Sequence, residues 1–147
     1  MKSYLAQLNI AEMRFADDDP RMADFMNALD DVNAAAEQSD GFIWRLKDDN
    51  NNATSIRIFD RDDLLVNMSM WESVEALRAY VISDKHMTIM RRRAEWFFRP
   101  AEPTLVLWWQ ATDELPTVQL AESKLKQLRE HGPSPLAFDF KTQFPPP

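Results

Sequence analysis

The succession of strand-like and helix-like periodicities limits the folds open to this chain more than any other feature of its sequence. Apolar residues alternate with a period of two over four segments, 4–10, 42–47, 65–71 and 104–111, which predicts four β-strands. Apolar residues at helical spacing follow the first of these segments and recur after the third, which predicts two long helical regions. The chain therefore alternates between the two kinds of structure without an internal linker.

Capping residues give the two helical regions their ends. Pro20 suits the first turn of a helix that Gly41 ends. Ser73 is a candidate N-cap for the second region, which runs to Phe98, and Ser83 offers another cap, so we predict a break there. The resulting order, β-α-β-β-α-β, is that of a ferredoxin-like split βαβ domain. We predict an α+β fold of this kind.

The C-terminal part of the chain adds to this core. A stripe of apolar residues at helical spacing predicts a further helix over about 116–131. Alternating apolar residues over 136–140 predict a short terminal strand. We therefore treat 1–141 as one domain and 142–147 as a loose Pro-rich tail.

Composition excludes several classes of function. The chain has no cysteine among its 147 residues, which excludes disulfides, thiolate catalysis and Cys-ligated metal sites. A net charge of -7 argues against nucleic acid and anionic membranes as partners. The N-terminus is too polar for a signal peptide or a membrane span, so we predict a cytoplasmic protein.

The predicted sheet has helices for only one of its faces, and its other face needs cover. A second copy of the chain would supply that cover. We therefore predict a homodimer joined sheet to sheet.

Groups able to hold a ligand concentrate between Asn67 and Phe98. Trp71 ends the third predicted strand, and Tyr80 lies in the first part of the helix that follows. His86 opens the second part of that helix, ahead of three consecutive arginines and Trp96. A strand and a broken helix would thus deliver aromatic, basic and cationic side chains to one place.

We predict His86, Arg93 and Asn9 as catalytic residues. His86 would act as general base or proton shuttle, because an imidazole titrates near neutral pH. Arg93 lies on the same side of the helix and would orient an anionic oxygen, with ion pairing as the alternative role. Three consecutive arginines point about 100° apart, so at most two can reach one pocket. Asn9 or Asn67 would hydrogen-bond developing negative charge.

We predict five ligand-binding residues, namely Trp71, Asn67, Tyr80, Trp96 and Trp44. The tryptophans could stack on a planar ligand, or they could belong to the core or to a dimer interface. The two histidines have no acidic pair at ligand spacing, so we predict no metal site built from protein alone.

Several runs of the sequence resemble one family. These are LVNMSMWESVEAL, RRRAEWF, LVLWW and GPSPLAFDF, with His86 between the first two. From about Tyr4 to Phe140 the chain looks like an uncharacterised bacterial family of unknown function within the dimeric α+β barrel superfamily. Its relatives include the antibiotic-biosynthesis monooxygenases and the haem-degrading monooxygenases. The resemblance implies a pocket between sheet and helices in each protomer, and two sheets packed across a dimer.

The haem-degrading relatives provide a second interpretation. They use an asparagine on the first strand, a tryptophan at the end of the third strand and a helical histidine that binds iron. Asn9, Trp71 and His86 occupy comparable places in the order of elements. The resemblance thus implies haem binding or haem degradation as an alternative function.

Three functional classes follow from these observations. The first is a small-molecule enzyme, either a cofactor-independent monooxygenase or an isomerase or cyclase, acting on an apolar, oxygen-bearing metabolite. The second is a haem-binding or haem-degrading protein, and the third is a noncatalytic dimeric binding domain. We predict the first, with no cofactor.

Overall fold

Four antiparallel strands form the centre of the molecule in a computed structural model that describes residues 2–48 and 53–147. The strands are β1 (Ser3–Glu12), β2 (Phe42–Arg45), β3 (Leu64–Trp71) and β4 (Leu105–Ala111). Their order in the sheet is β2-β3-β1-β4, with β1 and β3 in the middle. This is the arrangement of a split βαβ domain, so the predicted α+β fold class is confirmed.

The helices begin and end close to the predicted caps. They are α1 (Ala23–Glu37), preceded by a 3₁₀ turn at Pro20–Met22, then α2 (Val74–Val81), α3 (Asp84–Met90), α4 (Arg93–Trp96) and α5 (Val118–His131). The Ser73 hydroxyl accepts a hydrogen bond from the Ala76 amide at the start of α2, and Ser83 separates α2 from α3 as predicted. Among the described residues, no helix is long and apolar enough to cross a membrane.

Alternation of side chains along the strands gives the sheet two unlike faces. Leu5 in β1 clusters with residues of α1 and α2, whereas Leu8 clusters with residues of α5. We call these the α1 face and the α5 face. The cross-strand register places Gln7 opposite Ser69 and Asn9 opposite Asn67, so all four lie on the α1 face.

The α5 face is already covered within the chain, so the predicted open face for a second copy is wrong. Helix α5 packs on it through Ala121, Leu125 and Leu128, and the loop 53–61 packs beside α5 through Ile58. The strand residues beneath are fully buried, with 0% of Leu8 exposed and 1% of Met68, Met70 and Trp108. The C-terminal helix therefore provides the cover that the sequence analysis assigned to a second protomer.

The predicted terminal strand is reduced to a single bridge. The backbone N–H and C=O of Phe138 both bond to Leu107 at 2.8 Å, beside β4. Further along, the Phe144 carbonyl accepts a hydrogen bond from Trp109 Nε1 at 2.8 Å, and its ring lies 5.9 Å from that of Phe138. The tail is thus anchored at Phe144 rather than loose.

Candidate functional site

A cleft of about 1230 Å³ opens between the α1 face of the sheet and the helices above it. Apolar side chains of α1 and α3 form much of its wall, among them Phe25, Leu29, Val32 and Ile89. The cleft is larger than the usual ligand pocket of about 300–1,000 Å³, because it continues around the end of the sheet toward Arg129. An apolar wall with a few polar groups is typical of a small-molecule site.

Five of the predicted site residues line this cleft. They are Asn9, Asn67, Tyr80, His86 and Arg93. The first two come from the central strands, and the other three come from the broken helix after β3. The strand and the helix therefore do deliver polar groups to one cavity, as the sequence analysis expected.

A hydrogen-bond network holds the floor of the cleft. The buried Gln7 amide donates through Nε2 to Asn67 Oδ1 at 2.6 Å and to Ser69 Oγ at 2.8 Å. Ser69 Oγ also accepts from Trp71 Nε1 at 2.8 Å. Asn67 is thereby oriented, and within the described residues its Nδ2 has no protein partner. The amide N–H groups of Asn67 are thus available to a ligand oxygen.

His86 presents a neutral ring with one free nitrogen. Its Nδ1 lies 2.9 Å from the Val81 carbonyl, and because a carbonyl only accepts, Nδ1 carries the proton. In the part of the chain that the structure describes, Nε2 has no protein partner. Burial lowers the pKa of His86, while the bond to Val81 acts in the opposite direction. The imidazole is therefore uncharged at neutral pH, with Nε2 able to accept a proton.

Tyr80 connects His86 to the core through a stack of rings. Its ring lies 5.3 Å from Trp71 at an interplanar angle of 24°, and 5.1 Å from His86 at 60°. Its hydroxyl donates to the Val32 carbonyl of α1 at 3.2 Å. Burial raises the pKa of Tyr80 to about 12, although nearby Arg45 acts to lower it. Tyr80 is therefore a neutral side chain that joins α1, α2 and α3 at the cleft.

The predicted ligand-binding tryptophans lie outside the cleft. Trp71 is 1% exposed and stands behind Tyr80, so the prediction that it lines one cavity with His86 is wrong. Trp96 is also 1% exposed and packs 5.3 Å from the Phe25 ring. Trp44 packs with the α5 face. All three take the structural role that was the alternative for tryptophan.

A β-bulge explains the position of Trp44. Simple alternation predicts that Phe42 and Trp44 share a face, but the register shifts between them. Phe42 then lies opposite Trp71 on the α1 face, whereas Trp44 lies opposite Met70 on the α5 face. The same shift turns Arg45 onto the α1 face, opposite Ser69.

Two residues of the cleft were missed by the sequence analysis. Arg45 is 8% exposed, and its Nε donates to Glu37 Oε1 at 2.7 Å. Asn33 in α1 is 9% exposed, and its side chain makes no hydrogen bond to residues 2–48 or 53–147. The signal for Asn33 was a polar residue at helical spacing from Leu29 on a buried stripe. Arg45 gave no such signal, because the bulge is not visible in the sequence.

The cleft does not bring together the three residues of the haem interpretation. Asn9 and His86 line it, but Trp71 is separated from it by Tyr80. Among the described residues there is no group of three His, Asp or Glu that could hold a metal ion. With Trp71 behind Tyr80, the arrangement that the resemblance implied for haem degradation is not formed.

Comparison with protein families gives a match over almost the whole chain. A family model described as a domain of unknown function, DUF3291, matches residues 4–147. This agrees with the resemblance to a family of unknown function seen in the sequence. No curated protein matches the chain.

Solved structures share the fold at low sequence identity. A conserved protein from Methanosarcina mazei Go1 is 13% identical with a TM-score of 0.55, covering 74% of this chain and 94% of its own. SnoaB, a cofactor-independent oxygenase from Streptomyces nogalater, is 16% identical with a TM-score of 0.52, covering 78% and 99%. A protein of unknown function from Nitrosomonas europaea is 14% identical with a TM-score of 0.51, covering 78% and 96%. At this identity the similarity establishes the fold.

Proposed function

The chain belongs to the DUF3291 family, and we propose that it is an enzyme that acts on an apolar, oxygen-bearing small molecule without a cofactor. The observation that carries this proposal is the neutral His86 ring, whose free Nε2 shares a mainly apolar cleft with the amide of Asn67. A base beside hydrogen-bond donors is what proton abstraction next to a carbonyl requires. SnoaB, named as a cofactor-independent oxygenase, supplies a precedent on a similar fold.

The proposed reaction begins with a proton transfer. His86 Nε2 takes a proton from the substrate carbon next to a carbonyl, or from a phenol hydroxyl, and negative charge develops on the substrate oxygen. The amides of Asn67 and Asn9 donate hydrogen bonds to that oxygen. Arg93 orients an anionic oxygen of the substrate.

Dioxygen is the second substrate of the proposed reaction. The electron-rich carbon of the enolate or phenolate gives its electron pair to dioxygen, a C–O bond forms, and the peroxide anion takes the proton back from His86 to give a hydroperoxide. Loss of water from the hydroperoxide then converts that carbon to C=O, so each turnover consumes one O₂ and releases one H₂O. An isomerase or cyclase would share the first proton transfer and consume no O₂.

Oxygen consumption tests the proposal. The full-length protein is incubated with a panel of hydroxylated polycyclic aromatic compounds, and O₂ uptake is measured with an electrode. We expect uptake that His86→Gln lowers by ~10²–10⁴-fold while circular dichroism shows an unchanged fold. His131→Gln is the matched control, because His131 is exposed and lies outside the cleft. Equal uptake by the His86 variant and the wild type would rule out His86 as the base.

Two alternatives give different results in simple assays. Haem binding through His86 Nε2 would produce a Soret band when the protein is titrated with haem, and His86→Gln would remove it. A noncatalytic binding domain would bind compounds of the panel without any O₂ uptake or change in product.

A homodimer remains our proposal for the assembly, but through another surface than the one first expected. Helix α5 occupies the α5 face, so a second copy must bind elsewhere. Light scattering should give twice 17.2 kDa for the intact chain. A particle of 17.2 kDa that does not change with concentration would contradict the dimer.

A further inference from the structure

The charge of the cleft is opposite to that of the chain. The protein has a net charge of -7, yet the cleft is lined by six arginines, namely Arg14, Arg45, Arg61, Arg93, Arg99 and Arg129. Among the described residues, two glutamates and no aspartate line the same cleft. A cationic cavity in an acidic protein selects anions, because the remaining surface repels them.

Three of these arginines are neutralised by ion pairs. The pairs are Arg45–Glu37, Arg61–Glu12 and Arg129–Glu102, at 2.7, 2.8 and 3.2 Å. Glu12 and Glu102 are the two glutamates that line the cleft, so both already have a cationic partner. The lining carboxylates therefore leave the other three arginines uncompensated.

Those three, Arg14, Arg93 and Arg99, lie at one end of the cleft. None of them forms an ion pair with a residue that the structure describes. Arg14 Nε donates to the backbone carbonyls of Ala94 at 2.9 Å and of Phe97 at 3.2 Å, so its guanidinium lies against the segment that carries the other two. Within the described part of the chain, the Arg93 side chain makes one long hydrogen bond, 3.4 Å, to the Met90 carbonyl of the same segment. We call this group the arginine end.

The three consecutive arginines provide an internal comparison. Arg91 is exposed and does not line the cleft, whereas Arg92 binds Asp24 and Glu95 at 2.8 Å each. Arg93 alone faces the cleft. Arg91 and Arg92 lie in the turn between α3 and α4, whereas Arg93 begins α4, so the place of each arginine in the fold decides its role.

The distance along α1 between the two ends of the cleft gives the length of a ligand that would span it. At the arginine end, the Phe25 ring lies 5.0 Å from the Phe97 ring. At the other end, the Val32 carbonyl binds the hydroxyl of Tyr80, which stacks on His86. Val32 lies seven positions after Phe25 in α1. At a rise of 1.5 Å per residue, the two ends are about 10 Å apart.

We infer that the cleft binds an aromatic acid about 10 Å long, with its anionic group at the arginine end and its reacting oxygen near His86. A guanidinium fork matches carboxylate and phosphate equally in geometry. The apolar wall between the ends suits two or three fused rings. The assignment of the reacting end rests on the proposed function, whereas anion binding at the arginine end does not require turnover.

Binding of a matched pair of fluorescent compounds tests the inference. The anionic 1-anilinonaphthalene-8-sulfonate and the neutral N-phenyl-1-naphthylamine share the same ring body and differ in charge. We expect the intact protein to bind the sulfonate more tightly, with an affinity that falls as salt is added. The double variant Arg93→Gln/Arg99→Gln should lower the affinity for the sulfonate by about tenfold. Its affinity for the neutral compound should stay within about twofold of the wild-type value.

Matched variants locate the effect. Arg91→Gln removes one positive charge outside the cleft, where the double variant removes two that line it, and should leave both affinities unchanged. Ile89→Trp, or Leu29→Trp if the first variant does not fold, fills the apolar wall and should abolish binding of both compounds. Unchanged sulfonate binding in the double arginine variant or in the filled variant would overturn the inference.

Competition separates the two kinds of anion. Both 1-naphthoate and 1-naphthyl phosphate should displace the sulfonate better than neutral 1-naphthol, and the stronger of the two identifies a carboxylate or a phosphate ligand. Equal displacement by 1-naphthol would contradict an anionic ligand. Sulfonate binding is measured without turnover, so binding without O₂ uptake would count against the proposed reaction alone.

Discussion

Gln7 is the single residue on which the geometry of the cleft floor depends most. Its amide supplies the donors for Asn67 and Ser69 from a position that is 4% exposed. Replacing it with Leu, of similar size, would leave Asn67 Oδ1 without its donor and the buried Ser69 Oγ with Trp71 Nε1 alone. We expect Gln7→Leu to lower the free energy of unfolding by ~1–3 kcal/mol, measured by urea denaturation. Substitution of the exposed Gln119 by Leu should change the free energy of unfolding by less than ~0.5 kcal/mol. An equal loss of stability in both variants would show that the buried network is not the cause.

The lowered pKa of His86 predicts a pH dependence of stability. Since burial places it below the ordinary 6.5, the unfolded chain binds the proton more readily than the folded chain. The free energy of unfolding should therefore fall as pH drops from 6.5 through the folded pKa, with no loss from His86 above that window. His86→Gln should remove this part of the dependence in urea unfolding, and the exposed His131→Gln should leave it in place.

The same residue predicts the acidic limb of activity. Only the neutral imidazole can act as the base, so kcat/KM should fall on acidification with a midpoint below 6.5. A midpoint above 6.5 would mean that another group titrates.

At the scale of the elements, the junction between α1 and β2 leaves no room for a side chain at Gly41. Gly41 has a φ of 82°, and a Cβ added there would lie 2.6 Å from the Ala76 Cβ of α2. We expect Gly41→Ala to destabilise the fold by ~1–3 kcal/mol through this overlap, in addition to backbone strain. Gly132 has a φ of 74° with open space around it. Gly132→Ala should therefore destabilise the fold through backbone strain alone.

A double variant separates the two contributions at Gly41. Adding Ala76→Gly to Gly41→Ala removes the overlap and should recover part of the loss in thermal unfolding. If Gly41→Ala destabilises the fold no more than Gly132→Ala does, the contact with Ala76 of α2 is not what restricts position 41.

The elements themselves were largely predictable, because their signals are local. Period-two alternation located β1 and β3, and Ser83 located the break that places His86 in the cleft. The bulge in β2 was not predictable, because one extra residue in a strand leaves no mark in a pattern of apolar residues. Because of the bulge, Arg45 lies on the α1 face in place of Trp44.

At the scale of the whole molecule, periodicity did not reveal where α5 would pack. The apolar stripe of α5 predicted a buried face but not the surface that would bury it. The same limit applied to Trp71 and Trp96, which the sequence could assign equally to a ligand site or to the core. What an element packs against depends on contacts between distant parts of the chain.

Substitutions in α5 and just before it test how much the packing of this helix contributes to stability. Leu125 is 0% exposed beneath α5, whereas Leu115 just before the helix is 61% exposed. We expect Leu125→Ala to lower the free energy of unfolding by ~2–5 kcal/mol, and Leu115→Ala to change it by less than ~0.5 kcal/mol. Similar small effects in both would mean that α5 adds little to the core.

Because α5 is part of the same polypeptide as the sheet that it covers, the cover cannot be lost by dilution. A face covered by a second molecule is stable only above the dissociation constant of the complex. A covalently attached helix has an effective concentration set by its connection rather than by the amount of protein present. The α5 face should therefore be covered as completely in a cell that holds few copies of the protein as in a concentrated sample.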